Sequence, residues 1–436
     1  MTASVVLPLV LLVVILGSGV WIGLGLAGIG LISLDIFRSI PLDKLFAQSI
    51  WNGLSSAELL ALPLFILMAE LIYRSKFIDG VFGALEPWLR NLPGGLLHTN
   101  IIGCALFALI SGSSAATTSS IGRITINELR NRGYNERITI GTLAGAGTLG
   151  FLIPPSIVMI IYGVLSRTSV LKLFAAGIIP GLFLCVAFMS YVAIVTWMKP
   201  DMVGKTEPMS KPDLWRARFK QLPLLLPFLL LIMAVLGSMY GGLASPTEAA
   251  AFAVVATIAI MAFEGSLTLP NLKDAAIGTS RTVSMLGLIV AAASFLSVAM
   301  GFLAIPTTIS KIVTEMQLSP LGLILLLIVI YMILGTFLEG MSMIVMTIPI
   351  VLPLVQSAGY DKVWFGIFLV IMVELAQISP PVGMNLFVLQ GLTKRPLGEV
   401  VRAAMPFFLI MMAFVILLAI FPQIVSFLPD MVMVAS

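Results

Sequence analysis

Four short breaks in an otherwise apolar chain hold the residues able to do chemistry. Ser111-Gly112-Ser113-Ser114 and the stretch Gly335–Ser342 each interrupt an apolar run. Two more breaks are Gly145-Ala146-Gly147-Thr148-Leu149-Gly150, leading to Pro154-Pro155, and Gln377-Ile378-Ser379-Pro380-Pro381-Val382-Gly383. An unpaired backbone group in hydrocarbon costs several kcal/mol, so such breaks survive only where protein, water or an ion satisfies them. Freed carbonyls suit a hard cation such as Na+, and helix N-termini suit an anion. Glu339 lies inside one break, and a carboxylate at membrane depth is by default a functional hypothesis. Its plain alternative is a carboxylate paired with a neighbouring backbone or basic group. The serines of Ser111–Ser120 have a plain reading too, as small residues that let helices approach. Glu70 and Glu374 also fall in apolar runs, where a structural pairing or a water-lined position is expected.

The breaks recur at a fixed offset. Gly133-Tyr134 and Gly359-Tyr360 are 226 residues apart, and so are Pro154-Pro155 and Pro380-Pro381. The same offset sets Ser111-Gly112-Ser113-Ser114 opposite Phe337-Leu338-Glu339-Gly340. Plain loop punctuation by Gly and Pro is the alternative to an internal repeat. Apolar runs predict spans near 4–33, 50–73, 172–198, 221–240, 246–264, 275–303 and 403–428. The first, without preceding basic residues or a cleavage site, reads as an uncleaved span bent near Gly17-Ser18-Gly19. Ser245-Pro246-Thr247-Glu248 predicts a capped helix start.

The remaining stretches give a first hairpin about 95–130 with a broken span about 137–165, and a second hairpin about 318–358 with a broken span about 363–391. A basic loop over 199–220 separates a first repeat, 1–198, from an extra span and loop, 221–245, and a second repeat, 246–436. With that loop cytoplasmic, 18 of the 24 basic residues fall on its side and six on the other, as the positive-inside rule favours. Two crossings precede the first hairpin if the N-terminus is cytoplasmic, and three separate the loop from the second. The repeats are therefore expected to be inverted, as in many secondary transporters.

Composition fixes the setting. The 436 residues are 59% apolar and 10% charged, against about 45–50% and 25% in soluble domains. That excludes a soluble globular enzyme, a disordered regulator and a nucleic-acid binder. Cys104 and Cys185 lie in apolar runs and read as small core residues, not a disulfide. One histidine, His98, argues against a metal site or histidine relay. A membrane-embedded hydrolase pairing His98 with a serine is the reading from another class, and an interfacial histidine is the plain one.

The chain resembles the large, DctM-like membrane subunit of tripartite ATP-independent periplasmic (TRAP) transporters along nearly its whole length. The resemblance rests on Ala61-Leu62-Pro63-Leu64-Phe65-Ile66-Leu67, Leu92-Pro93-Gly94-Gly95-Leu96, Ser111-Gly112-Ser113-Ser114-Ala115-Ala116-Thr117 and Ile153-Pro154-Pro155-Ser156. Pro246-Thr247-Glu248-Ala249-Ala250 and Pro380-Pro381-Val382-Gly383-Met384-Asn385-Leu386-Phe387 add to it. It implies an all-α, inverted-repeat transporter of elevator type, with two re-entrant helical hairpins and two broken transmembrane helices. It also implies two sodium sites. The first would use Ser111, Ser113 and Ser114 with backbone around Gly147, Thr148 and Gly150. The second would use Gly335, Gly340 and Met341 with groups around Ser379, Gly383 and Asn385. The substrate, a small organic acid, would lie near Ser111, Ser156 and Glu339.

The implied partners are a small four-span, DctQ-like membrane subunit and a periplasmic substrate-binding protein, in the bacterial inner membrane. No enzymatic activity and no organic cofactor are implied. A related architecture working alone is the other transporter reading. The family commonly has aspartate where Glu339 stands and threonine where Ser379 stands. Both changes keep the type of functional group, and the longer Glu339 bears on the substrate pocket.

Overall fold

The computed structural model describes residues 3–204, 210–336, 338, 340–381 and 383–434; the side chain of Ser111 also lies outside the described set. All regular structure among the described residues is helical. Helices α1 (Ala3–Gly17) and α2 (Ile22–Phe37) fold against each other across Ser18–Trp21. The run 4–33 is therefore two helices, not one bent span. Gly19 lets the chain turn there, with a left-handed φ of +77° that residues bearing a β-carbon avoid. The expected span 50–73 is likewise divided. Helix α3 (Leu42–Leu54) meets the segment leading into α4 (Ala61–Tyr73) at a bend of 58°.

After α5 (Phe77–Leu89) come α6 (Leu97–Ser111), α7 (Ser114–Asn131), α8 (Glu136–Thr148) and α9 (Ile157–Ser166). The long α10 (Val170–Met198) follows, then α11 (Lys211–Tyr240). Much of the expected loop 199–220 is thus helix. Ser210 accepts a hydrogen bond from the Asp213 N–H (3.3 Å) and Pro212 fits the first turn, so α11 starts ten residues ahead of its apolar run. Helix α12 (Pro246–Phe263) begins with the expected capping box, Ser245 and Glu248 bonding each other's backbone N–H groups. The second half continues through α13 (Leu269–Phe302), α14 (Ile305–Glu315), α15 (Pro320–Gly335) and α16 (Gly340–Ser357). It ends with α17 (Lys362–Ile378), α18 (Met384–Thr393), α19 (Leu397–Ile420) and α20 (Gln423–Val434).

Six helices, α10, α11, α12, α13, α16 and α19, are long and apolar enough to cross a bilayer among the described residues. The bent α3–α4 segment makes a seventh candidate. Exposed Leu182, Val186, Ile194 and Trp197 along α10 belong to the apolar surface that lipid or another membrane helix must cover. This is a multi-pass membrane protein.

Two packed groups position the breaks. In one, α13 runs along α2, α3 and α4, α12 packs on α4, and α11 ties in α5. In the other, α6, α7 and α8 pack on one another, α7 also meets α18, α8 meets α19, and α15 and α16 meet α17. At one end of the second group, Glu136 pairs with Arg130 and, at 2.5 Å, with Arg395. That cluster joins α7, α8 and the turn after α18. Arg132 adds a bidentate pair with Glu86 (2.6 and 3.1 Å), tying α7 to α5.

Candidate functional site

The first break pair is built by two reversals. Helix α6 ends on Gly112, whose φ of +53° turns the chain, and Ser113 then accepts the Ala116 N–H at 3.4 Å as the cap of α7. Facing this tip, α8 tightens into a 3-10 turn over Leu149–Phe151. Pro154 and Pro155 offer no N–H to continue a helix. Ser156 restarts it as the cap of α9, accepting the Met159 N–H at 3.3 Å while its own hydroxyl donates to the Phe151 carbonyl at 2.6 Å. Buried Ser156 is thus engaged within the break. Gly112 lies over the start of α9, where a β-carbon would fall 2.9 Å from Ile157.

Tip and break touch closely. A β-carbon at Gly150 would lie 3.4 Å from the Ser113 carbonyl carbon and from Thr117 Oγ1. One at Gly147 would lie 1.9 Å from Thr118 Oγ1, an impossible contact. Ser113, Gly147 and Gly150 are therefore brought together, with Thr117 and Thr118 among them. Neither threonine stands out in the sequence, because threonine in a small-residue helix reads as close packing. Their spacing from Ser113 and Ser114, one turn along α7, is the signal that marks them. The Thr148 side chain points elsewhere: its hydroxyl donates to the Gly145 carbonyl (2.8 Å) and meets Met411 Sδ at 3.8 Å.

The second pair follows the same plan. Gly335 ends α15 against Ala376, and Gly340 and Met341 open α16. β-Carbons at Gly335 and Gly340 would fall 2.6 Å from Ala376 Cβ and 2.3 Å from Val373 Cγ1, so this hairpin presses directly on α17. Ser379 caps the end of α17, its hydroxyl donating to the Ala376 carbonyl at 3.2 Å. The Gly383 N–H donates to the Ser379 carbonyl at 2.9 Å. A β-carbon at Gly383 would meet the Gln377 carbonyl at 2.6 Å. Gly383 gives α18 no side-chain cap among the described residues, and a helix N-terminus of this kind favours an anion. Glu339, Phe337 and Val382 lie outside the described residues.

A hydrogen bond joins the two sets. Asn385 Nδ2 donates to Ser114 Oγ at 2.7 Å, across 271 residues, and both residues are buried. Sequence reading assigns these two residues to different sites, and the fold puts them in contact. Around them, Asn385 Oδ1 and Thr118 Oγ1 are buried oxygens with no hydrogen-bond partner among the described residues. A buried unpaired oxygen costs about 1–3 kcal/mol, and coordination of a cation removes that cost.

A double-mutant cycle of Ser114→Ala and Asn385→Ala, read by thermal unfolding of the full chain in detergent, is expected to give a coupling of about 0.6 kcal/mol, the mean for hydrogen bonds between membrane helices, and no more than about 1.7 kcal/mol. Additive losses would remove the bond from the native state.

Other polar residues resolve plainly. Glu70 pairs with Arg74 one turn on. Cys104 and Cys185 are free, buried thiols. His98 is buried at the base of α6 with Nε2 on the Pro93 carbonyl at 2.7 Å, and no bond to a serine is found for it among the described residues. Glu374 is fully buried in α17, within electrostatic reach of Cys185 and of the Leu152 backbone. Its position is 226 residues after Thr148, and Met411 is 226 after Cys185. The Thr148–Met411 and Glu374–Cys185 neighbours are thus offset by the same 226 residues that separate the paired breaks.

Residues 9–424 match the family described as the tripartite ATP-independent periplasmic transporter, DctM component. The chain belongs to this family. As a DctM component it is 35% identical over 414 residues to the C4-dicarboxylate TRAP transporter large permease of Pseudomonas aeruginosa, covering 93% of each chain. It is 30% identical to the ectoine/5-hydroxyectoine TRAP transporter large permease of Ruegeria pomeroyi, covering 99% of each. It is 31% identical to the isethionate TRAP transporter permease DctMQ of Oleidesulfovibrio alaskensis, over 95% of this chain and 64% of that one. Among solved structures, the Alcanivorax borkumensis YdaH transporter superposes with a TM-score of 0.67 at 15% identity. That match covers 96% of this chain and 98% of the other, and it speaks for the fold alone. The relatives are permeases rather than enzymes.

Proposed function

We propose that this DctM-family chain is the permease of a sodium-driven uptake system for a small organic acid, in the bacterial inner membrane. It works with a small four-span subunit and a periplasmic substrate-binding protein, and its two halves are inverted repeats. The observation that carries this reading is the meeting of hairpin and broken helix at the Ser114–Asn385 bond, beside two buried oxygens without partners. Neutral oxygens from Ser113, Thr117, Thr118 and the Gly147–Gly150 backbone would take one Na+ as co-transported cargo. Those around Gly335, Gly340, Met341, Ser379, Gly383 and Asn385 would take a second. Ser111 and Ser114 complete the first set, and the substrate carboxylate meets helix N-termini near Glu339.

Driving force supports the assignment. Two Na+ carry one net positive charge inward with a monoanion and two with a zwitterion, each charge worth roughly 2.3 kcal/mol per 100 mV beyond the sodium gradient. The group of α6–α9 and α15–α18 then moves as a unit against α2–α4, α12 and α13, in an elevator motion. The test is uptake into proteoliposomes of the full complex with its cognate binding protein, with C4-dicarboxylate, ectoine and isethionate each supplied to the binding-protein side. Accumulation that requires an inward Na+ gradient is expected for one of them. Equal accumulation with K+ replacing Na+ overturns sodium coupling.

A further inference from the structure

A cavity of about 650 Å3 lies where the end of α9 and the turn after it face α3 and α13. This is the boundary between the two packed groups, at the far end of α9 from the breaks. It sits toward the side that holds six of the 24 basic residues, the outer side by the charge rule. Arg38 Nε donates to the Phe302 carbonyl at 3.0 Å, fixing the α2–α3 corner at the same level as the end of α13.

In a chain that is 59% apolar, this lining is mostly amide, hydroxyl and charge. Gln48, Asn52, Ser56, Glu58, Arg167 and Ser297 all contribute. Ser56 Oγ is buried without a hydrogen-bond partner among the described residues. Glu58, just before α4, and Arg167, at the end of α9, are both exposed, and neither enters an ion pair among the described residues. Arg167 ends α9, which packs on α16 and α17, and Glu58 leads into α4, which packs on α12 and α13, so a molecule held between them bridges the boundary across which the elevator motion is proposed.

We infer that this cavity is an outer vestibule that receives the transported solute before it reaches the breaks, and that it selects a small zwitterion over a dianion. The inference rests on the transport reading above and deepens it. Its volume suits a small organic molecule. Arg167 offers a guanidinium to one carboxylate, in the fork geometry that matches it. Glu58 offers a carboxylate to a cationic group on the same molecule. A dicarboxylate bound by Arg167 places its second charge in a cavity where the other ionised group is Glu58, and like charges repel. The hydroxyls and amides complete the hydrogen bonds of either end.

Cysteine labelling tests this, because both native thiols are buried. Single Ser297→Cys and Asn52→Cys variants of the full chain are treated in spheroplasts with a membrane-impermeant maleimide, with and without ectoine, glycine or L-malate. Labelling of at least one variant from outside is expected, slowed by a zwitterion, ectoine or glycine, and not by malate. Adding Arg167→Ala or Glu58→Gln is expected to raise the protecting concentration about tenfold, the effect of one charge-assisted contact. No labelling from outside, protection by malate alone, protection by none of the three, or protection unaltered by both substitutions overturns the vestibule. Sodium-driven uptake is measured separately. Protection retained without Na+-driven uptake counts against the transport reading and leaves the vestibule standing, whereas uptake without protection does the reverse.

Discussion

Gly147→Ala is expected to lower uptake severely, although it adds only one methyl group. The β-carbon would fall 1.9 Å from Thr118 Oγ1, so α7 and α8 must part or the threonine must turn. Neither is free to do so cheaply. Helix α8 is held on its other side by α19, where β-carbons at Gly141 and Gly145 would already fall 2.5 Å from the Ala403 carbonyl and 2.7 Å from Phe407. Thr118 is fully buried. Overpacking of this kind costs about 1–3 kcal/mol, and the displacement falls on the oxygens proposed to bind the first Na+. The measurement is Na+-dependent uptake by the reconstituted complex, expected to fall by at least about tenfold, the equivalent of 1.4 kcal/mol. Thr118→Ala added to Gly147→Ala should restore thermal stability more than uptake, because it relieves the clash and removes an oxygen. Uptake at the wild-type rate in Gly147→Ala would show that this contact has no part in transport.

Glu339→Ala is expected to abolish uptake while leaving the protein folded and inserted. Glu339 lies outside the described residues, so its role rests on its place in the sequence. It is a carboxylate inside an apolar run, between Gly335 and Gly340. Survival of the fold rests on the structure. The hairpin is held to α17 by the close approach of Gly335 to Ala376 and of Gly340 to Val373. Uptake and detergent melting temperature of the same preparation separate the two effects. Glu339→Gln distinguishes a need for charge from a need for a hydrogen-bonding side chain. Wild-type uptake by the alanine variant would remove Glu339 from the site.

The breaks are legible in the sequence because their causes are local. Proline withholds an N–H at Pro154, Pro155, Pro380 and Pro381, glycine permits the turn at Gly112, and Ser113, Ser156 and Ser245 cap the helices that follow. Other features were hidden for equally physical reasons. Two short apolar helices joined by a glycine turn have the hydropathy of one long helix, so the fold-back of α1 on α2 leaves little mark. The start of α11 at Lys211 breaks up its apolar residues with charged ones, and a rule that follows apolar runs places it in a loop. The Ser114–Asn385 bond depends on how two halves close on each other, which no local window contains. Thr118 is indistinguishable by type from neighbours whose only work is to be small.

The matched neighbours Thr148–Met411 and Glu374–Cys185 bear on how the resting population divides. If the proposed inverted halves were identical, exchanging their conformations would convert an outward-facing form into an inward-facing one, and the two would be degenerate. Every site where the halves differ lifts that degeneracy. A hydroxyl bonded to its own helix and touching a thioether at one position, and a fully buried carboxyl beside a thiol at its counterpart, are chemically far apart. On the proposed mechanism, differences of this kind, deep inside the chain, would set which face of the membrane an empty carrier prefers.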